Sequence, residues 1–113
     1  MRHHGIHWDD LPWIPVRDGV ARKAITGEGA TVALHRLMPG CEPRPHQHPY
    51  EQIAYIMSGE VDFYVDGDPV RLRAGGMVVV PPNVMHHAVV IGDKPVMNLD
   101  IFTPKRAEYV TSR

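Results

Sequence analysis

Frequent proline and glycine residues constrain the fold of this chain more than any other feature. The 113 residues include 11 prolines and 10 glycines, which divide the sequence into short segments. Both residue types disfavour the interior of an α-helix, and no segment between them shows a long apolar repeat with the helical period of 3.6 residues. The chain is therefore predicted to be all-β.

Several of these segments have the pattern of short strands. They cover residues 20–26, 31–38, 46–57, 60–65, 70–73, 77–80, 86–91 and 96–102. Asp66-Gly67 is a typical two-residue hairpin turn, and the uninterrupted apolar run at 77–80 predicts a strand buried on both faces. Short strands at near-regular spacing favour a barrel or a two-sheet jelly roll, in which inward-facing side chains surround one cavity.

Size and charge limit the functions that the chain can have. The length fits a single domain with its own apolar core. A net charge of −1 gives no basic surface for nucleic acid or an anionic membrane, and no apolar run approaches the roughly 20 residues that span a bilayer. The lone cysteine, Cys41, cannot form an internal disulfide, and the N-terminus has no apolar signal-peptide core. These features predict a cytoplasmic protein that binds neither nucleic acid nor membrane.

Three histidines and one glutamine are candidate metal ligands. Alternate side chains of a strand share a face, so His46, His48 and Gln52 are predicted to point to the same side. A closed barrel would bring His86 to that face as well. Three imidazole nitrogens and one amide oxygen suit a divalent transition metal and leave coordination positions open for a ligand. The four donors are uncharged and admit Zn, Ni, Fe, Mn or Cu, so the sequence does not identify the ion.

Two glycine- and histidine-containing patterns resemble the signatures of the cupin family. The first is Gly40-x5-His46-x-His48-x3-Gln52-x6-Gly59, with glutamine where glutamate is more usual, and the second is Gly75-x5-Pro81-x-Asn83-x2-His86. The resemblance implies a single-domain double-stranded β-helix, the cupin jelly-roll barrel, with metal bound by the three histidines and Gln52. It also implies a homodimer. On this basis residues 1–16 are predicted to form an arm, 17–104 the barrel and 105–113 a tail.

Two local strings resemble the KdgF-type pectin-degradation cupins more narrowly. They are HPYEQ at residues 48–52, continued by AYIMSGE at 54–60, and DIFTPKR at 100–106. The resemblance implies an enzyme that converts a 4,5-unsaturated monouronate, released from pectin or alginate, into a linear keto acid by ring opening and tautomerisation. It also implies that Asp100 is catalytic, that Phe102 contacts the substrate and that Arg106 is the active-site arginine.

The residue pattern is compatible with those three roles. Asp100 and Phe102 share strand parity, so both are predicted to face the cavity. A carboxylate inside an apolar barrel is costly unless it is paired or takes part in chemistry. Arg106 follows Pro104 on a tail that can fold over the mouth and pair with a carboxylate of a small anionic substrate. His35, in contrast, is interpreted as structural or solvent-exposed.

Two other functions remain open from the sequence. A three-histidine site with free coordination positions also suits a dioxygenase acting on a small enol or dione. A non-catalytic protein that binds a small acid or sugar would need the same pocket. Because one architecture hosts many unrelated functions, the fold does not choose between these alternatives.

Overall fold

Nine strands lie between the proline and glycine breaks in residues 5–109, the part of the chain that the computed structural model describes. Their bounds are β1 Ile14–Arg17, β2 Val20–Thr26, β3 Thr31–Leu37, β4 Glu51–Ser58, β5 Glu60–Val65, β6 Asp68–Arg73, β7 Met77–Val80, β8 His86–Val90 and β9 Val96–Thr103. Two short 3-10 helices, Trp8–Asp10 and Ala107–Tyr109, flank the strands. Within this part of the chain no helix is long and apolar enough to cross a membrane.

The strands form two antiparallel sheets. The larger has the order β1-β2-β3-β9-β4-β7, and the smaller has the order β6-β5-β8. This arrangement confirms the predicted all-β, single-domain jelly roll. Residues 1–4 and 110–113, at the ends of the predicted arm and tail, lie outside the described residues, so the division into arm, barrel and tail stays a prediction.

Two turns show why glycine is required at particular positions. Asp66 and Gly67 have φ angles of 52° and 83°, which is the backbone of the predicted tight hairpin between β5 and β6. Gly59 has a φ of 85°, and a Cβ atom there would lie 2.7 Å from the carbonyl oxygen of Pro95. Glycine at this position therefore allows the β4–β5 turn to pass close to the start of β9.

The apolar core occupies one end of the space between the sheets. Ile56 of β4, Val61 of β5 and Val96 of β9 are fully buried there, and Leu72 of β6 packs with them. Nearer the other end, the inward positions of β4 and β9 include the buried polar residues Gln52 and Asp100. Asn98, also buried, lies opposite Ile56 where the two ends meet.

The predicted strand over 46–57 is wrong in its first half. The continuous strand starts only at Glu51, and His46 forms an isolated bridge with His86 instead. Pro45 and Pro49 lie on either side of His46 and His48, and proline has no N–H to donate to the hydrogen bonds between strands. The two histidines are therefore held on an irregular segment, and strand alternation alone does not explain why they converge.

The prediction that strand 77–80 is buried on both faces is also wrong. Met77 is 62% exposed and Val79 is 55% exposed, whereas Val80 is fully buried. β7 is the last strand of the larger sheet, and its outer face has no second layer on it in the described chain. The opposite edge is formed by Ile14–Arg17, which the sequence analysis did not assign as a strand and which pairs with β2 despite containing Pro15.

Candidate metal centre

Three imidazole rings meet at the polar end of the barrel. One ring nitrogen from each of His46, His48 and His86 lies within 4.8 Å of the others. His46 and His86 exchange backbone hydrogen bonds of 3.1 and 2.9 Å, which join the segment before β4 to the start of β8. Asn83, in the left-handed conformation at φ 63°, donates its N–H to the His48 carbonyl at 2.7 Å. The proline-rich turn before β8 thus holds the two segments together.

Each of the three rings is oriented by the same local contact. In each ring, Nδ1 lies close to a backbone carbonyl oxygen of another residue. The distance is 2.8 Å for His46, 3.0 Å for His48 and 2.8 Å for His86. The three carbonyls, each two residues away, belong to Arg44, Tyr50 and Val84. A carbonyl can only accept, so Nδ1 carries the proton and Nε2 keeps its lone pair. Histidines that bind metals are commonly held in this way.

Burial favours the neutral form of two of these rings. It lowers the pKa of His86 to about 4, and it also lowers the pKa of His46, whose ring is partly enclosed although the residue as a whole is exposed. The Nε2 atom of His86 is buried and has no hydrogen-bond partner among residues 5–109. A buried lone pair without a donor is costly, and a cation would satisfy it.

Gln52 presents its amide oxygen to the same place. Its Nε2 donates to Asp100 Oδ1 at 2.7 Å, which orients the amide and leaves Oε1 facing His48 Nε2 at 2.9 Å. With Nδ1 of His48 protonated, those two facing atoms are both acceptors. A cation bound by both atoms would remove this unfavourable contact between two acceptors. The donor set therefore fits a divalent transition metal.

Asp100 is buried and paired beside this cluster. The residue is 3% exposed. Its Oδ1 accepts from Gln52, and its Oδ2 accepts from Asn98 Nδ2 at 2.9 Å. His35 Nδ1 lies 2.8 Å from Oδ2 but is not aligned for a hydrogen bond. The predicted inward carboxylate is thus directly linked to a candidate metal ligand.

Small neighbours make room for this network. Asp100 is flanked in the sheet by Ala33 of β3 and Ala54 of β4, both fully buried. Larger side chains at those two positions would occupy the space beside the carboxylate. The alanines therefore leave part of the barrel interior open.

Phe102 and Arg106 lie together near the three histidines. Phe102 is 1% exposed, and its ring packs edge-on against His48 at a centroid distance of 5.5 Å. The Arg106 guanidinium lies 4.8 Å from the centre of the Phe102 ring, and its Nε donates to Glu108 Oε2 at 2.9 Å. Tyr50 donates to the other oxygen of Glu108 at 2.7 Å. The segment after Pro104 therefore folds back over the site, and Arg106 already has an acidic neighbour there.

A cavity of about 290 Å³ contains most of these groups. Its lining includes His46, Gln52, His86, Asp100, Phe102 and Arg106. Further polar and aromatic side chains that were not predicted from the sequence also line it, among them Arg22, His35, Asn98 and Tyr109. Asn98 shares strand parity with Asp100, and that signal could have identified it. His35 and Arg22 reach the cavity through the pairing of β2 and β3 with β9, for which the sequence carries no local signal.

Comparison with known proteins supports the fold and relates this site to others. The chain matches the family model for the cupin domain over residues 33–102. It is 31% identical over 112 residues to the pectin degradation protein KdgF of Dickeya dadantii (strain 3937), with 97% of this chain and 100% of that protein covered. It is also 31% identical over 87 residues to an acireductone dioxygenase of Bacillus pumilus (strain SAFR-032). That match covers 73% of this chain but only 49% of the dioxygenase.

Two solved structures resemble the whole barrel. KdgF from Halomonas sp. superposes with a TM-score of 0.90 at 25% identity, covering 96% of this chain and 100% of that one. An RmlC-like cupin from Shewanella frigidimarina NCIMB 400 superposes with a TM-score of 0.87 at 26% identity, covering 96% and 97%. Sequence signatures, sheet order and these similarities agree: the chain belongs to the cupin family and resembles KdgF over nearly its whole length.

Proposed function

We propose that this cupin is a metal-dependent enzyme that converts a 4,5-unsaturated monouronate into its linear keto acid. The observation that carries the proposal is the hydrogen bond between Asp100 and Gln52, which places a buried carboxylate next to three converging imidazoles, two of which line the same cavity. The similarity to two KdgF proteins over 96% or more of the chain supports the same reaction.

His46, His48, Gln52 and His86 are the proposed metal ligands. A divalent ion held there would supply a Lewis acid that polarises an oxygen of the substrate. The ligands add no negative charge, so little of the charge of the ion is cancelled before the substrate binds. Zn, Ni, Fe, Mn and Cu all suit these donors.

Asp100 is the proposed proton relay. The substrate is a cyclic enol ether, and conversion to the keto acid requires a proton to reach carbon as the enol becomes a ketone. The hydrogen bonds from Gln52 and Asn98 hold both carboxylate oxygens in place, so the group needs little reorganisation when it transfers a proton. Phe102 forms an apolar wall next to His48, and Arg106 places a positive charge near that wall.

A dioxygenase is the second candidate function. The similarity to an acireductone dioxygenase favours it, and three imidazoles with open coordination positions also support oxygen chemistry. Because the chain spans about half of that relative, we rank this function below uronate conversion.

One experiment separates the candidates. Protein purified without a histidine tag is analysed for bound metal and then mixed with 4,5-unsaturated galacturonate, whose conjugated ultraviolet absorbance is followed. Loss of absorbance without oxygen uptake supports ring opening. Oxygen uptake with iron in the protein, on addition of a small enol or dione, supports the dioxygenase. Binding without turnover of any of these compounds would leave a non-catalytic role.

The outer face of the larger sheet is a proposed homodimer contact. Across β9, β4 and β7 the outward side chains form two apolar rows in direct register, Leu99–Tyr55–Met77 and Ile101–Ile53–Val79. A sheet face exposed to water normally carries polar residues at these positions. A patch that is apolar apart from the Tyr55 hydroxyl can pack against a second copy of itself, and sheets pack face to face about 10 Å apart.

Light scattering in solution tests this contact. The wild type is expected to be a dimer, and Val79→Lys is expected to be a monomer because it places a charge in the contact. Val70→Lys is the matched control, since Val70 is 39% exposed on β6 of the other sheet. A monomeric wild type, or dissociation of the control alone, would contradict the proposed surface.

A further inference from the structure

Arg22 is a half-buried cation inside the barrel that the proposed reaction does not yet use. It lies on β2 directly opposite His35 of β3, and both side chains line the cavity. The guanidinium carbon is 3.8 Å from the centre of the Tyr109 ring. The guanidinium has five N–H donors, and its contact with Tyr109 leaves most of them free for another partner. Among residues 5–109, Arg22 forms no ion pair with an acidic side chain.

The other arginines of the cavity differ from Arg22 in their surroundings. Arg106 donates to Glu108 at 2.9 Å, and a terminal nitrogen of Arg17 donates to the carbonyl oxygen of Glu42 at 3.0 Å, although the buried Nε of Arg17 has no partner among residues 5–109. Arg44 is exposed at the rim, where water solvates it. A charge taken out of water is normally paired, and in the described chain neither Arg17 nor Arg22 has an acidic partner. Of the two, Arg22 is the one that lies opposite His35, next to Asp100.

The cavity supplies no anion for Arg22. Its lining contains one carboxylate, that of Asp100, and this group accepts from Gln52 and Asn98 and is also approached by His35. From the metal cluster, the polar groups follow one another through Gln52 and Asp100 to His35, and Arg22 comes next across the sheet. A ligand extending from the metal cluster past Asp100 would therefore reach Arg22 with its far end.

We propose that Arg22 is the anchor for a carboxylate of the ligand, and that Arg106 mainly holds the folded-back segment in place. This assignment rests on the proposed function for the identity of the ligand as a uronate, and it makes Arg22 a residue that selects acids over neutral sugars. A planar guanidinium can bind both oxygens of a carboxylate at once.

Saturated D-galacturonate is a suitable probe because it lacks the enol ether and cannot undergo the proposed reaction. Calorimetric titration of the metal-loaded protein compares its affinity with that of its neutral methyl ester. We expect wild type to prefer the acid by roughly 10- to 100-fold, the range for a hydrogen bond between charged groups. Arg22→Ala is expected to abolish this preference, and Arg22→Lys to retain part of it. Arg71→Ala is the control, since Arg71 is exposed and pairs with Asp62 on the smaller sheet.

Each outcome decides the assignment. If Arg22→Ala keeps the wild-type ratio of affinities while Arg106→Ala loses it, Arg106 is the anchor and the assignment is wrong. Equal binding of acid and ester by wild type, or binding of neither, also overturns it. Should Arg22→Ala not fold, Arg22→Gln, which keeps a polar side chain, is read in the same way. Turnover of unsaturated galacturonate is measured separately, so a protein that binds the acid through Arg22 without turnover contradicts only the proposed reaction.

Discussion

The two ends of the barrel are built from the same strands but have opposite chemistry. On β4 the inward side chains run from Gln52 through Ala54 to Ile56, and on β9 they run from Val96 through Asn98 to Asp100. Because the strands are antiparallel, Ile56 and Val96 lie towards one end, whereas Gln52 and Asp100 lie towards the other; Asn98, opposite Ile56, lies between them. The apolar end excludes water and stabilises the fold, whereas the polar end accepts the cost of buried polar groups in order to bind a ligand.

This contrast shows that one part of a strand can stabilise the fold while another part of the same strand forms the functional site. Substitutions at the apolar end should change stability with little effect on metal binding. Those at the polar end should change metal binding or turnover with a smaller effect on stability. Four variants test this separation.

Asp100→Asn is expected to give the largest effect. It retains the shape of the side chain but removes a group that can relay protons, so turnover of unsaturated galacturonate should fall by about 10²- to 10⁴-fold with metal content unchanged. Absorbance kinetics and metal analysis measure the two quantities. Asp68→Asn, at an exposed position on β6, is the control and should behave as wild type. An unchanged rate in Asp100→Asn would remove this residue from the mechanism.

Ile56→Ala tests the apolar end. The side chain is fully buried, so its truncation should lower the free energy of unfolding by about 2–5 kcal/mol, as measured by urea denaturation. Under conditions where the variant is folded, its affinity for metal should equal that of wild type. A large loss of metal affinity would mean that the two ends are not independent.

His86→Ala tests the polar end of the barrel, where a substitution should weaken metal binding more than it lowers stability. Losing a direct ligand should weaken metal binding by more than the roughly 10- to 100-fold typical of losing a ligand's hydrogen-bond partner. Equilibrium dialysis measures this affinity. His87→Ala, on the same strand with its ring stacked on Tyr64, provides the neighbouring control. Equal affinities for the two variants would argue against His86 as a ligand.

Gly59→Ala should have the smallest effect of the four and should appear in stability alone. Gly59 and Gly67 have similar φ angles of 85° and 83°, but a Cβ at Gly59 would meet the Pro95 carbonyl, whereas one at Gly67 meets nothing within 4 Å. Gly67→Ala should cost about 1–2 kcal/mol for the left-handed backbone, and Gly59→Ala should cost more. Thermal unfolding of both compares them. Equal costs would show that the turn can move away from β9.

Features of the fold and of the site could be predicted from the sequence where they depend on neighbouring residues, and less well where they depend on distant ones. The hairpin at Asp66-Gly67 was predicted correctly from neighbouring residues. The convergence of His46, His48 and His86 was also predicted, but through a continuous strand that does not exist over 46–50. The exposure of Met77 and Val79 was missed because an apolar run does not reveal whether its strand is central or at an edge.

The sequence by itself determined the short strands, the tight turns, the donor types that can bind a metal, and the inward direction of Asp100 and Phe102. Each depends on backbone preferences or side-chain alternation over a few residues. Only the tertiary structure placed Arg22 and His35 in the same cavity as Asp100, linked Gln52 to that carboxylate, and left β7 at an edge. These relations depend on which distant strands pair and in what register, and that is decided by packing of the whole barrel.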